Sequence, residues 1–469
     1  MSGGPEASSL VGSASKGSRV DLRASLTRSL FYPLWDLKDR SARLSEWRSL
    51  ERSQWHPRRE LERVRWDLAG RLVEYAYQHC LTHRARLEEA GMTRASDVTP
   101  ETWTRIPVLT KQEIREHEDG LRSDLYRIED LVLAKTGGST GTALRVYYDR
   151  ASQARHNAAA LRSDRWSGWE IGMRKVAVWG NPPVARTIKA RLRNALHDRM
   201  EYLDTMEINE ASLSRFLEIC RRPEPFAIMG HAHSIFIAAR WLEARGEISV
   251  RPRGVITTSM MLLAPERETI ERVFGCRVTD RYGCEEVGLI GCECERHQGM
   301  HVPAEHLLVE CLRDDGTPAL AGEEGRIVVT DLVNRGMPLI RYRVEDRGIL
   351  SDRSCPCGRA LPLLEKVTGR TADFLVRADR TLVAGVSLVE RTLTAIPGLE
   401  QMQIVQEAIG SFSLKVVSSA GYGVASEEAL RAELRSVFGA DTDVRIETVE
   451  RIPQEPSGKY RFSISKVAY

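Results

Sequence analysis

The chain has 469 residues, of which 42% are hydrophobic and 28% charged, and its formal net charge is +3. That length predicts two or three domains, and the composition is typical of a soluble globular protein. The small net charge gives no basis for nucleic-acid or membrane-surface binding, and no apolar run approaches the roughly 20 residues of a membrane helix.

The N-terminal residues and the cysteines indicate the cellular compartment of the protein. Residues 1–20 lack the apolar core of a signal peptide, so we expect a disordered tail there. Most of the nine cysteines lie from Cys284 to Cys357. Such clustering favours metal binding in a reducing compartment over a disulfide framework, and we therefore expect a cytoplasmic protein.

A stretch rich in glycine and hydroxyl residues, Thr136 to Thr142, lies between two β-like runs at 130–134 and 143–149. The backbone N–H groups of such a turn can converge on a phosphate, and the hydroxyls add further donors. The same composition is also typical of a plain hairpin turn. Taken alone, the stretch leaves both interpretations open.

The remaining elements follow in chain order. Apolar spacing predicts a helix over 61–89, and Thr110 with Glu113 forms a capping box at the start of a short helix. Strand-like runs separated by helical stretches predict parallel βαβ units at 175–179, 226–229 and 254–258. Short strands at 306–310, 325–330 and 339–342 predict a β-rich part.

The pattern of predicted strands and helices changes again near residue 369. Strands at 373–376, 402–405 and 413–417 and helices at 388–394 and 427–438 predict a compact α+β module of normal domain size. We therefore expect an α/β protein. A disordered tail would span 1–20, and a large multi-subdomain N-terminal region with mixed, largely parallel sheets would span 21–368. Its β-rich part would lie at about 283–368, and a small α+β C-terminal domain would span 369–469.

Four short motifs follow the glycine-rich stretch in a fixed order. They are Tyr282-Gly283-Cys284-Glu285-Glu286, Ile340 to Asp346, Gly369 to Asp373, and Pro456-Ser457-Gly458-Lys459. In this order the motifs resemble those of the adenylate-forming superfamily. The branch they resemble is that of the phenylacetate–CoA ligases with their capsular-polysaccharide-type relatives. The resemblance runs from about Ile106 to the C-terminus, and it implies an N-terminal region with ATP and acyl sites and a mobile C-terminal lid.

The resemblance also implies roles for single residues. The ATP phosphates would be held by Thr136, Gly137, Gly138, Ser139, Thr140, Gly141 and Thr142. The rest of the nucleotide set would be Thr258, Ser259, Tyr282 against adenine, Gly283, and Asp346 on the ribose hydroxyls. Glu286 would bind Mg²⁺, Arg370 would lie at the hinge, and Lys459 would arrive with the lid for adenylation. His231 and His233 would border the acyl pocket, unless they are helix-start histidines satisfied by nearby backbone.

The implied reaction is ATP- and Mg²⁺-dependent activation of a small carboxylic acid to an acyl-adenylate, with release of pyrophosphate. Transfer to CoA, to a carrier-protein thiol or to an amine would follow. The chain departs from the family pattern at three positions. It has Thr142 where lysine is usual, Glu285 where Ser or Thr is usual, and Met260 where glutamate is usual. Two alternatives remain: an adenylyltransferase acting on a phosphate-bearing cofactor, and a zinc-containing binding protein without ATP chemistry.

The sequence indicates less about the binding partners of the protein than about its reaction. The basic stretch Arg186 to Arg193 suits CoA phosphates or an acidic carrier protein, or it is a solvated helix face. No nucleic-acid or membrane partner is expected, and a homodimer is left open.

The cysteines carry separate chemistry. A C-x-x-H pair within 291–297 and a C-x-C pair within 355–359 supply four ligands, the number that a tetrahedral structural zinc needs. By similarity to zinc-binding members of the branch, we identify the ligands as Cys294, His297, Cys355 and Cys357. Cys292 is the alternative to Cys294, and a set of buried free thiols is the alternative to a metal site.

Overall fold

The computed structural model describes residues 21–135, 144–180, 187–205, 208–259, 262, 264–367, 374–450 and 463–467. Within those residues, no helix combines the length and the hydrophobicity that crossing a membrane requires.

The N-terminal part is helical. Its helices are α1 (Leu22–Leu26), α2 (Tyr32–Lys38), α3 (Arg43–Ser53), α4 (Arg58–His79), α5 (Leu81–Glu89), α6 (Pro100–Trp103), α7 (Lys111–Glu116) and α8 (Glu118–Leu121). A π-helical turn, Thr27–Phe31, joins α1 to α2 without a break. The antiparallel strands β1 (Val132–Lys135) and β2 (Arg145–Tyr148) come next and flank the glycine-rich stretch.

The central part alternates strands and helices. It comprises α9 (Arg150–Trp166), β3 (Arg174–Trp179), α10 (Ile188–Arg193), β4 (Met200–Asp204), α11 (Glu210–Cys220), β5 (Phe226–His231), α12 (Ala232–Ala244), β6 (Val255–Thr258), α13 (Ala264–Phe274) and β7 (Val278–Cys284). A π-helical turn, Asn194–Asp198, extends α10. Buried aliphatic residues such as Val176, Ile228 and Val255 fill the space between the strands and α11–α13, as expected of parallel strands covered by helices.

The chain then becomes β-rich. Its strands are β8 (Gly288–Glu293), β9 (Met300–His301), β10 (Leu307–Leu312), β11 (Glu324–Asp331), β12 (Tyr342–Ser351) and β13 (Leu363–Val367). Among the described residues, eleven strands form one sheet in the order β10-β11-β12-β13-β9-β8-β7-β6-β5-β3-β4. β7 is the junction, because it pairs parallel with β6 and antiparallel with β8.

The C-terminal module has its own sheet and core. It comprises β14 (Phe374–Val376), β15 (Leu382–Ala384), α14 (Gly385–Ala395), β16 (Leu399–Ala408), β17 (Ser411–Ser418), α15 (Val424–Phe438), β18 (Asp443–Thr448) and β19 (Ser463–Ser465). The described strands of its larger sheet follow the order β18-β17-β16-β19. Leu388, Met402, Leu414 and Leu430 are buried together between this sheet and the helices.

The predicted fold class is confirmed: a large mixed sheet is followed by a smaller α+β module. Two predicted elements are wrong in their bounds. The helix expected over 61–89 is two helices, because Cys80 takes an extended conformation (φ −129°, ψ 109°) between α4 and α5. The strand expected at 339–342 begins only at Tyr342, because Arg341 adopts a positive φ of 54° just before it. The domain limits at 20 and 368–369 remain predictions.

Candidate functional site

Glu286 lies in the turn between β7 and β8 and is buried. Its Oε1 accepts a 2.7 Å hydrogen bond from the hydroxyl of Tyr342, the first residue of β12. The Lys111 ammonium lies 3.9 Å from the same oxygen and 3.2 Å from Oε2 of Glu345. Burial raises the pKa of Glu286, but the Lys111 charge and the Tyr342 hydrogen bond outweigh it, and the net pKa is lowered. Glu286 is therefore an ionised carboxylate in a dry site.

Lys111 is a site residue that the sequence analysis missed. It follows Thr110, whose Oγ1 accepts from the Glu113 N–H while Glu113 Oε2 accepts from the Thr110 N–H at 2.7 Å. The same segment is tied to the start of β12, because Leu109 N–H donates to the Arg341 carbonyl at 2.8 Å. The capping box predicted from the sequence placed Lys111 at the start of a short helix. It gave no indication that this segment packs against β12.

Asp346 lies on β12 beside Tyr282 on β7. The Tyr282 hydroxyl donates to Asp346 Oδ2 at 2.7 Å, and Asp346 is buried. The register of β11 and β12 slips here, since Arg326 pairs with Arg347 but Val328 pairs with Arg343. A β-bulge of this kind re-aims side chains, and Glu345 within it has a φ of 67°. The structure thus brings the predicted adenine and ribose residues into contact.

The turn that carries Glu286 is held in place by a chain of contacts through Tyr148, His156 and Asp331. The Tyr148 hydroxyl donates to the Glu285 carbonyl, and the His156 ring packs edge-on against Tyr148 at 5.0 Å between centroids. His156 Nε2 lies 3.0 Å from Oδ2 of the buried Asp331. These contacts fix the backbone next to Glu286, and the hydrogen bond from Tyr148 joins residues 137 positions apart in sequence.

A second group of predicted residues lies at the carboxyl ends of the parallel strands. His231 ends β5 and is paired in register with Thr258, which ends β6. Its ring lies 4.5 Å from that of Trp179, and burial lowers its pKa to about 4, so it is neutral. Ser259 follows with a φ of 66°, a strained conformation of the kind found at functional sites.

Three buried polar atoms at this edge have no hydrogen-bond partner within the described residues. They are His231 Nδ1, Ser234 Oγ and Thr205 Oγ1. Buried polar groups are rarely left unsatisfied, so such atoms suit a polar ligand or water. His233 lies in α12, but its side chain falls outside what the structure describes.

Several predicted site residues also lie outside the described residues. These are Thr136 to Thr142, Arg370 and Lys459. The strands that flank the first of these stretches are as predicted, with Lys135 paired to Arg145. The choice between a phosphate loop and a plain hairpin therefore stays a prediction, as do the roles of Arg370 and Lys459.

The cysteine cluster is a separate site in the β-rich part. Cys294, His301, Cys355 and Cys357 place one ligand atom each within 4.8 Å of one another. The Cys294 and Cys355 sulfurs are 3.6 Å apart, and Cys357 Sγ lies 3.3 Å from His301 Nε2. Ligands about 2.0–2.3 Å from a tetrahedral zinc lie roughly 3.4–3.8 Å apart, so the spacing fits. His301 Nδ1 faces the Leu361 carbonyl at 3.4 Å, which leaves Nε2 to bind metal.

Two details of the predicted ligand set change. His297 does not join the cluster, because it has a φ of 51° in the turn after β8 and its Nδ1 faces Glu293 Oε2 at 3.3 Å. His301 takes its place, because it lies on β9 opposite Leu363 of β13, close to the C-x-C pair. Of the two cysteines left open, Cys294 is in the cluster, whereas the Cys292 thiol donates to the Glu293 carbonyl.

Comparison with known proteins gives one family match near the C-terminus and two long sequence matches. Residues 375–466 match the family model of the CapK C-terminal domain. Protein CapK of Staphylococcus aureus is 24% identical over 384 residues, which cover 79% of this chain and 82% of its own length. The phenylacetate–coenzyme A ligase of Thermus thermophilus is 27% identical over 404 residues, covering 81% and 87%.

Solved structures agree on the fold. A 2-hydroxyisobutyryl-CoA ligase in complex with 2-HIB-AMP and CoA matches with a TM-score of 0.59 and 19% identity, over 89% of this chain and 92% of that one. At that identity the likeness is one of fold. The fold, the C-terminal family match and the two long sequence matches lead to one conclusion. The chain resembles the branch of the adenylate-forming superfamily that contains the phenylacetate–CoA ligases and CapK, as the sequence motifs indicated.

Proposed function

We propose that this protein uses ATP to convert a carboxylic acid to an acyl-adenylate with release of pyrophosphate, and then transfers the acyl group to a thiol such as that of CoA. Two contacts carry the proposal. Tyr282 on β7 contacts Asp346 on β12, and Glu286 in the turn after β7 contacts Tyr342 at the start of β12. A nucleotide and its metal need such a base-stacking face, a ribose acceptor and an ionised carboxylate close together.

The first step is an in-line displacement at phosphorus. A carboxylate oxygen of the acid attacks the α-phosphorus of ATP, the bond from that phosphorus to the bridging oxygen breaks, and pyrophosphate leaves. Catalysis of such a step requires alignment and neutralisation of charge more than bond-making by protein groups. Asp346 would fix the ribose by accepting its hydroxyl hydrogens, and Lys459 would stabilise the developing charge.

Glu286 is the residue that would hold Mg²⁺. The fit rests on its chemistry: it is buried and its pKa is lowered, so it offers the hard anionic oxygen that Mg²⁺ prefers. Bound there, the ion would neutralise phosphate charge. Lys111 and Tyr342 would hold the carboxylate in place and keep it ionised before the nucleotide arrives.

The cysteine cluster would hold a structural zinc. Its three thiols and one imidazole occupy every position of a tetrahedral site, which leaves none for substrate. Two backbone N–H groups, of Arg296 and Arg359, donate to the Cys294 and Cys357 sulfurs at 3.4 Å and would stabilise thiolates. The proposed role is to connect the β8–β9 segment to the loop before β13.

The acid would lie at the carboxyl edge of the parallel strands, bordered by His231 and His233. Several curated relatives are phenylacetate–coenzyme A ligases, and one protein of similar fold is a 2-hydroxyisobutyryl-CoA ligase. Those two acids, one aromatic and one hydroxylated, define the ends of the panel to be assayed. The second step would be attack of a thiolate sulfur on the acyl carbon, with AMP as the leaving group, after movement of a C-terminal lid hinged near Arg370.

The test is a pyrophosphate-release screen of aryl, hydroxy, fatty and amino acids, with and without CoA. Release that requires an acid supports the proposal, and Lys459→Ala should suppress it, whereas Lys466→Ala serves as a matched control. Lys466 lies seven residues further on, where its ammonium contacts Glu407 at 2.5 Å. Release without any acid would select the adenylyltransferase, and absence of ATP binding in calorimetry with Mg²⁺ would select a zinc-containing binding protein.

A further inference from the structure

Seven large apolar side chains are exposed on two adjoining helical segments. Five leucines recur along the helix of 22–38, and two aliphatic residues lie on α10. They are Leu22, Leu26, Leu30, Leu34, Leu37, Ile188 and Leu192, each 46–84% exposed. Other exposed hydrophobic residues of the described chain are scattered over separate elements. A contiguous exposed apolar patch marks an interaction site, whereas scattered residues do not.

The leucine row keeps to one side of its helix for a geometric reason. Four residues of α-helix turn slightly more than one full turn, whereas four residues of the wider π-helical turn at Thr27–Phe31 turn slightly less. Leucines spaced by four therefore stay aligned instead of winding round the helix. At about 1.5 Å per residue, the row spans roughly 20 Å or more.

The other side of this helix holds it to the protein. Thr27 Oγ1 donates to the Leu196 carbonyl at 2.9 Å, and the Tyr32 ring stacks on His197 with centroids 4.2 Å apart. The guanidinium of Arg193, the last residue of α10, lies 5.7 Å from the Trp35 ring centre. The helix is thus fixed beside α10 without help from the leucine row, which is left for a partner.

The charges around this face are mostly positive. Seven exposed cations lie on the two segments: Arg23, Arg28, Lys38, Arg40, Lys189, Arg191 and Arg193. Asp36 is buried against Arg43, and Asp198 pairs with Arg193. Within 22–40 and 187–198, all of which the structure describes, Asp39 is the exposed carboxylate. An apolar row flanked by Lys and Arg is typical of helices that lie in the interface of an anionic membrane.

We propose that the face formed by Leu22–Lys38 and α10 docks on an anionic lipid bilayer. The leucines would enter the boundary between headgroups and acyl chains, and the cations would contact lipid phosphates. A second copy of the chain fits this face poorly, because a two-fold interface would bring the same cations together. The inference does not depend on the proposed reaction. It replaces the expectation of no membrane partner, which rested on the net charge of the whole chain and not on its distribution.

The test is flotation of the full-length protein with vesicles of mixed phosphatidylcholine and phosphatidylglycerol, compared with vesicles of phosphatidylcholine alone. We expect the protein to float with the anionic vesicles and to remain largely unbound with the neutral ones. Raising the salt from about 0.1 M to about 1 M shortens the Debye length from about 10 Å to about 3 Å and should weaken binding strongly.

Two sets of variants separate the apolar and the charged contribution. Leu26→Glu/Leu30→Glu/Leu34→Glu should lower the vesicle partition coefficient at least about tenfold, and Lys189→Glu/Arg191→Glu should do so for anionic vesicles only. The matched control for the leucines is Leu81→Glu/Leu125→Glu/Leu320→Glu, at positions 71%, 62% and 70% exposed elsewhere. The control for the cations is Arg127→Glu/Arg445→Glu. Both controls should bind like the native protein, and circular dichroism should confirm that all variants fold.

Three results would overturn the proposal. One is failure of the native protein to bind anionic vesicles. Another is equal binding by the leucine variant and its control. The third is a native dimer that the leucine variant converts to a monomer, measured by light scattering, together with no vesicle binding, because the face would then be an interface between copies.

Discussion

The two polar clusters of the large sheet are built in opposite ways. Around Glu286 and Asp346, carboxylates are held by hydroxyls and by an ammonium, at 2.7–3.9 Å, and under the proposed function these partners would be exchanged for a nucleotide and its metal. The cluster of Cys294, His301, Cys355 and Cys357 is closed, because its ligand atoms face one another. The difference supports the two proposed roles: the first region would take ligands that bind and leave, and the second would keep one metal ion.

The largest effect should follow from opening the closed cluster. His301→Ala removes one of the four proposed zinc ligands, and we expect the bound zinc measured by plasma mass spectrometry to fall well below one per chain. Loss of a structural zinc should cost on the order of 5 kcal/mol of stability, seen as a clear drop in melting temperature. His297→Ala is the control, since His297 faces Glu293 instead. If His297→Ala loses the zinc and His301→Ala keeps it, the proposed ligand set is wrong.

A buried carboxyl on β7, that of Asp280, should give stability a pH dependence. Burial raises the pKa of Asp280 from 3.8 to about 7 and outweighs the hydrogen bond that Thr257 Oγ1 donates at 2.8 Å, which by itself lowers the pKa. A raised folded-state pKa means that this stability is fully present below about pH 4 and is lost as the pH rises through about 7. The loss amounts to up to about 4 kcal/mol, at about 1.4 kcal/mol per pKa unit.

Asp280→Asn should remove this dependence. The variant should therefore gain melting temperature relative to the native protein at pH 8 more than at pH 5, in matched thermal scans. A native and a variant curve that stay parallel from pH 5 to pH 8 would show that Asp280 ionises normally.

The nucleotide site should be broken by neutralising its buried carboxylate. Glu286→Gln should lower the rate of acid-dependent pyrophosphate release at least about hundredfold, equivalent to about 3 kcal/mol, because a preorganised charge is lost. Zinc content should not change, since the cysteine cluster is separate. The control is Glu268→Gln at an exposed position of α13, which should retain the native rate. Equal rates for the two variants would remove Glu286 from the site.

A smaller loss of rate is expected when only the hydrogen bond to Glu286 is removed. Tyr342→Phe removes the 2.7 Å hydrogen bond to Glu286, and the rate should fall about tenfold. That hydrogen bond helps to lower the pKa of Glu286, so its loss should raise that pKa. The acid limb of the pH–rate profile should accordingly move to higher pH. An unshifted limb with a lower rate would mean that Tyr342 acts only by packing.

Motifs that resemble those of the adenylate-forming superfamily led to Tyr282, Glu286 and Asp346. The structure places Tyr282 in contact with Asp346 and Glu286 in contact with β12, while their roles remain predictions. The fold class, which followed from alternating strands and helices, is confirmed. Lys111 and Tyr342 were missed as partners of Glu286, because their contact depends on how the segment before α7 packs against β12. Nothing in the spacing of residues 111, 286 and 342 reveals that proximity.

The ligand set of the cysteine cluster shows where sequence spacing misleads. The C-x-x-H pattern favoured His297, yet the turn there directs its ring to Glu293, and strand pairing brings in His301 instead. The break between α4 and α5 at Cys80 likewise has no glycine or proline to signal it. In both cases tertiary packing decided between local conformations that the sequence allowed.

The most direct test of the proposed reaction is isotope transfer. The enzyme is given a carboxylic acid labelled with ¹⁸O in its carboxylate, with ATP and CoA, and the AMP product is analysed by mass spectrometry. Attack by the carboxylate on the α-phosphorus, followed by thiolysis at the acyl carbon, leaves one labelled oxygen on AMP. Release of pyrophosphate with AMP free of label, or with AMP attached to a different cofactor, would contradict the proposed acyl-adenylate.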